Sequence, residues 1–184
     1  MLNSIAALYG TGAAPVAPTA YESIATVTAS GGESSLTFSS IPSTYTHLQI
    51  RYIARNQAAS GDDPLDLQFN GDYTNSNYKT HRLHGDGSSA SADAYSYPIG
   101  STANGNGNAN TYYTGGVIDI LDYANTNKNK TIRSLSGWDG NGSGQIYLIS
   151  ELWLNTAAIN TIKISLFSSG TLGQYSTFAL YGVK

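Results

Sequence analysis

The chain predicts an all-β fold, an antiparallel β-sandwich of the jelly-roll sort with about eight to ten strands. Three observations predict it. From residue 21 onward apolar and polar residues alternate with a period of two, as in strands with one buried face. Pairs built from Gly, Asn and Asp separate the alternating runs, where tight hairpins need positive φ. No window beyond residue 20 repeats its apolar residues every 3.6 positions.

The first twenty residues, MLNSIAALYGTGAAPVAPTA, carry no charged side chain and break into Gly-Thr-Gly and Pro-Val-Ala-Pro. They read as an extended arm, residues 1–20, in front of a β domain at residues 21–184. Leu2, Ile5, Leu8 and Tyr9 are its apolar anchors, suited to burial against another protein. The arm lacks the Lys or Arg of a signal peptide, so export by that route is not expected.

The strands follow in order. Ser35-Leu36-Thr37-Phe38-Ser39 alternates. In residues 47–55, Leu48, Ile50, Tyr52 and Ala54 share one face while Gln49 and Arg51 share the other. Leu65, Leu67 and Phe69 alternate with Asp66, Gln68 and Asn70. Late in the chain Ile162, Ile164 and Leu166 repeat the pattern, as do Phe178 and Leu180. Gly31-Gly32, Ile41-Pro42-Ser43, Asn70-Gly71-Asp72, Gly85-Asp86-Gly87 and Asp139-Gly140-Asn141-Gly142 mark turns.

Residues 100–110, GSTANGNGNAN, read as a flexible surface loop. Residues 117–123 are almost continuously apolar, which predicts a strand buried on both faces or one at a subunit interface. Residues 125–130 predict an exposed hairpin tip that carries local positive charge, and residues 155–160 a short helical turn. Trp138 and Trp153 sit in apolar contexts and are expected in the core.

Composition narrows the classes of function. At 184 residues the chain is one domain with an appendage. Charged residues make up 11%, against about 25% in an ordinary soluble protein. Hydroxyl and amide side chains and 14 Tyr fill the deficit. With a net charge of -3 and no basic run, a nucleic-acid partner is not expected. Zero Cys excludes disulfides and thiolate zinc sites. No stretch is apolar and long enough to predict a membrane-spanning helix.

Candidate chemistry is sparse. Asp139, Asn141 and Ser143 match the opening of a calcium loop, but its twelfth position is Ser150 rather than a bidentate Glu. A Gly-rich hairpin explains the same residues. Asp62, Asp63 and Asp66, with Asp86 or Asp93, offer a second acidic group, better read as a solvated loop. His81 and His84 lie three apart, so on a strand they point to opposite faces. Serine has no nucleophile elbow around it. No catalysis and no cofactor are expected. Tyrosine is the one chemical type in excess, and Tyr95, Tyr97, Tyr112 and Tyr113 flank polar loops where they could stack on a glycan.

Four segments carry a family resemblance: YESIATV at residues 21–27, IPSTYTHLQIR at 41–51, VIDILDYANTNKNKT with IRSL at 117–135, and FALYGVK at 178–184. In this order they resemble a family of small tailed-phage virion proteins from phages of cyanobacteria and marine bacteria. The resemblance implies a structural protein on the exterior of a virion. Its partners would be other virion proteins, in the capsid shell or the tail. The best-fitting role is a capsid cement or decoration protein anchored by the arm. A homotrimer is expected from what phage exterior proteins commonly do, together with the apolar strand near residues 118–121. The alternative is a tail fibre or spike head that binds a host-surface glycan through its Tyr-rich loops.

Overall fold

Leu48, Ile50, Tyr52 and Ala54, spaced by two, all point inward from one strand and are buried. The same rule, applied along the chain, produces twelve strands in two antiparallel sheets. In chain order they are β1 (Tyr21–Thr28), β2 (Ser35–Phe38), β3 (His47–Ala54), β4 (Asp62–Phe69), β5 (Tyr78–Gly85) and β6 (Ala90–Tyr95). Then come β7 (Ser101–Asn104), β8 (Thr114–Leu121), β9 (Lys130–Asp139), β10 (Gly144–Trp153), β11 (Ile162–Leu166) and β12 (Thr177–Val183). The computed structural model describes residues 20–57, 62–104, 111–168 and 170–184. The arm anchors Leu2, Ile5, Leu8 and Tyr9 lie outside the described residues.

The large sheet has the order β1-β12-β3-β8-β9-β10-β5-β6, and the small sheet β2-β11-β4-β7. The two sheets make a β-sandwich, and the chain passes repeatedly between them. Its core lies between the facing sides. Leu48, Ile50, Ile118, Ile120, Ile132, Phe178 and Leu180 come from the large sheet, and Phe38, Leu65, Leu67, Phe69, Ile162 and Ile164 from the small one. Fully burying each such side chain stabilises the fold by about 1.5–3 kcal/mol before entropy is counted. Trp153 fills the end of this core against Phe69, with ring centroids 5.4 Å apart. Its indole N–H donates to Asp72 at 2.9 Å.

Turn chemistry ends the strands where expected. Asn141 and Gly142 adopt positive φ between the paired strands β9 and β10, and Asn70 and Gly71 do so where the chain leaves β4 of the small sheet for β5 of the large one. Gly116 is needed for a different reason, because a Cβ there would overlap the Tyr52 ring.

The structure departs from the sequence reading in six places. It has twelve strands rather than eight to ten. Residues 101–104, expected as loop, form β7. The hydroxyls of that strand are satisfied inside the sandwich: Ser101 Oγ lies 2.6 Å from the Tyr52 hydroxyl, and Thr102 Oγ1 lies 3.2 Å from Ser136 Oγ. Strand β8 is central but not buried on both faces, since Val117 and Asp119 are only half-buried. Lys130 is no exposed tip residue. It is fully buried, and its ammonium donates to the carbonyls of Asn125, Lys128 and Thr156 at 2.5, 2.9 and 2.9 Å. Residues 155–160 contain no helix, and the one helical turn among the described residues is a 3-10 turn at Asn75–Asn77. Trp153 is in the core as expected, whereas Trp138 is half-buried.

Candidate functional site

Two surfaces stand out. The first is a cluster of rings and charged groups on the inner side of β5, β6 and β10. Alternation brings Arg82 and His84 of β5 to the same face as Asp93 and Tyr95 of β6 and Tyr147 of β10. Asp93 is their hub. Arg82 donates to its Oδ2 from Nη2 at 2.8 Å and from Nε at 3.2 Å. His84 Nε2 lies 3.1 Å from the same oxygen. The bond from Arg82 holds the Asp93 carboxyl below the usual range.

Arg82 also donates to the Tyr95 hydroxyl at 3.0 Å, and its guanidinium lies over the Tyr95 and Tyr147 rings. His84 stacks on Tyr147 with centroids 5.6 Å apart. The Tyr147 hydroxyl donates to Asp62, whose pKa burial raises despite that bond. A strip of three rings continues from Tyr95 to Tyr97 at 4.9 Å and on to Phe167 at 4.8 Å. Phe167 is 47% exposed, so the strip ends in solvent.

Buried Glu151 and half-buried Asp66 stand behind the strip. Burial pushes Glu151 up to about 8, and it accepts hydrogen bonds from the Ile99 N–H at 2.6 Å and the Thr80 hydroxyl at 3.3 Å. Burial, with the nearby Asp63 charge, raises Asp66 to about 7. Asp62 and Asp66 share a strand four residues apart, a span of about 13 Å. That exceeds the separation of the carboxylates in most glycoside hydrolases. Asp62 and Asp66 therefore do not form such a pair.

The second surface is the outer face of the large sheet. Strand registry sets Arg51, Val117, Leu135, Leu148, Leu83 and Ala92 directly opposite one another, strand by strand, across β3, β8, β9, β10, β5 and β6. Leu135 is 55% exposed, Leu148 53% and Leu83 51%. The next row on that face is Ile53, Gly115, Gly137, Ile146, Gly85 and Ala90. The outer face thus carries an apolar ridge beside a shallow row of glycines. Single exposed apolar residues are ordinary, but a contiguous apolar strip marks an interaction surface.

Of the tyrosines singled out from sequence, Tyr95 and Tyr97 belong to the ring strip. Tyr113 does not: its hydroxyl donates to the Gln174 carbonyl at 2.7 Å, and Arg55 lies over its ring. Tyr112 precedes it in a connecting segment outside the strip. The calcium candidates form the β9–β10 hairpin. Asp139 Oδ1 accepts the Asn141 N–H at 2.9 Å, and the Gly140 N–H donates to the Ser143 carbonyl. No group of three or more metal-ligating His, Cys, Asp or Glu side chains occurs among the described residues. Asp63 turns the other way from Asp62 and Asp66, accepting from Asn56 and Ser168. Asp86 accepts the N–H groups of Ser88 and Ser89 in its own hairpin. His81 is exposed on the outer face and His84 faces inward, as the spacing predicts.

Sequence reasoning missed Arg82, Phe167 and the outer ridge. The ridge left a signal in β10, where Ile146, Leu148 and Leu152 occupy the phase that alternation reserves for polar residues.

The fold and these surfaces define a two-sheet all-β protein with exposed apolar side chains on its outer face. No family model, no curated protein and no solved structure matches the chain.

Proposed function

We propose that the chain is a structural protein of a tailed-phage exterior, a capsid cement or decoration protein held to the particle by residues 1–18. The observation that carries the assembly role is the ridge of exposed Leu135, Leu148 and Leu83, continued by half-buried Val117, on a sheet whose other face packs the core. A surface of this kind is expected where a protein works in contact with others. The virion setting rests on the four segments that resemble small phage virion proteins. The strand order agrees with that setting. We read it as a jelly roll of β1-β12-β3-β8 against β2-β11-β4-β7, with β9, β10, β5 and β6 added at one edge of the larger sheet; the eight-strand core is an architecture common in viral capsid and lectin domains.

The test is retention on purified particles. Deleting residues 1–18 is expected to release the protein from the particle while leaving its thermal melt unchanged. Unchanged retention would remove the arm from this role.

A second reading is favoured by the ring strip. Tyr95, Tyr97 and Phe167 offer a stacking platform beside the Arg82–Asp93 pair, a pattern fitted to the face and hydroxyls of a sugar. On this reading the chain is a fibre or spike head that binds host-surface glycan. Binding on a panel of bacterial-surface saccharides should then fall at least tenfold on Tyr97→Ala and stay unchanged on Tyr112→Ala or Tyr113→Ala. Equal loss at all three positions would exclude the strip as the site.

A further inference from the structure

The outer face of the large sheet is built to match itself. Along each strand, consecutive outward residues stand about 7 Å apart. Beyond an edge row of Leu121, Thr131, Leu152 and Lys79, four outward rows therefore lie side by side on this face. The first is polar and holds Gln49, Asp119, Arg133, Ser150 and His81. The second is the ridge of Val117, Leu135, Leu148 and Leu83. The third is the row of Gly115, Gly137, Ile146 and Gly85. The fourth begins at the hairpin end, where Asp139 closes β9.

A two-fold axis lying in the plane of the face, parallel to the rows and midway between ridge and glycine row, exchanges the two. It sets Leu135 over Gly137 of a second copy, Val117 over Gly115, and Leu83 over Gly85. Leu148 meets Ile146. Gly115 leaves room for the side chain that arrives, because nothing lies within 4 Å of a Cβ built there, while Gly137 and Gly85 present only backbone to the second copy. The same axis carries the outer rows onto each other. Arg133 of one copy then stands over Asp139 of the other, twice by symmetry. Both residues are exposed, and neither belongs to an ion pair found within the described residues.

An apolar centre with a charged rim is the usual anatomy of such a contact.

We propose that this face pairs with the same face of a second copy, forming a two-fold dimer with ridge seated on glycine row and Arg133 paired to Asp139. The pairing does not depend on the virion reading, because it uses only groups on the sheet. It replaces the expected trimer with an isologous pair, since a three-fold axis cannot set one patch against itself.

Sedimentation equilibrium of the full chain at tens of micromolar is the test. The expected mass is that of a dimer. Leu135→Arg should weaken association at least tenfold with an unchanged thermal melt, since Leu135 is exposed in the single chain. Arg133→Asp and Asp139→Arg should each weaken it about tenfold by setting like charges together, and the double variant should recover to within about threefold of the parent. A monomer throughout, a trimer, or a dimer indifferent to both Leu135→Arg and the charge exchange would overturn the proposal.

Discussion

Glu151 shows how a single residue reports on the fold. Its side chain is 1% exposed on the inner face of the large sheet, between Ile149 and Trp153. Burial raises its pKa from an ordinary 4.5 to about 8. The folded chain therefore keeps a proton that the unfolded chain releases. The stability tied to this group is complete below about pH 4.5 and is lost as pH rises toward 8. Asp66, raised to about 7, acts in the same direction over a narrower window. The melting temperature is expected to fall steadily between pH 5 and 8, the Glu151 share reaching on the order of 4 kcal/mol. Glu151→Gln should flatten most of that slope while changing stability at pH 5 by only about 1 kcal/mol. Parallel pH titrations of the melt for parent and variant decide the matter. An unchanged slope in the variant would assign the pH dependence elsewhere.

At the scale of elements, the link between β8 and β9 depends on a buried cation. Lys130 opens β9, and its ammonium ties the turn at Asn125 and Lys128 to Thr156 in the segment after β10. Burial lowers its pKa, but three carbonyl acceptors offset part of the desolvation. Asp122 adds a bond from Lys128 beside the same turn. Lys130→Met keeps the apolar stem of the side chain and removes the ammonium with all three hydrogen bonds. It is expected to cost about 2–4 kcal/mol in urea unfolding, with little change in the m-value. The turn itself was readable from Asn125-Thr126-Asn127, since Asn125 Oδ1 accepts the Asn127 N–H at 2.8 Å. The burial of Lys130 was not readable, because its acceptors include a carbonyl twenty-six residues away.

For the whole molecule, the first strand pairs with the last. Tyr21 lies opposite Val183, and β12 sits between β1 and β3. Such non-local pairing predicts slow folding, in the millisecond-to-second range. It also leaves Leu83, Leu135 and Leu148 exposed on the outer face of the large sheet. If the decoration reading holds, purified particles should carry hundreds of copies of the chain by quantitative gel densitometry, and a count of tens would point to the tail. The outer ridge and the ring strip lie on opposite faces of the large sheet, so attachment and recognition need not compete for one surface.

The sequence by itself determined which residues alternate, where the hairpins turn, and that the product is a sheet protein. Those properties are local, because a period of two and an Asn-Gly turn act over a few residues. It also indicated that Tyr95 and Tyr97 belong near a polar loop, and that His81 and His84 face opposite ways. The tertiary structure alone decided that Phe167, from the far end of β11, completes the Tyr95–Tyr97 strip. It alone decided that Leu83, Leu135 and Leu148 fall into one row. Registry between β5, β9 and β10 depends on strands far apart in the chain, and a shift of one residue would turn every one of these side chains to the other face.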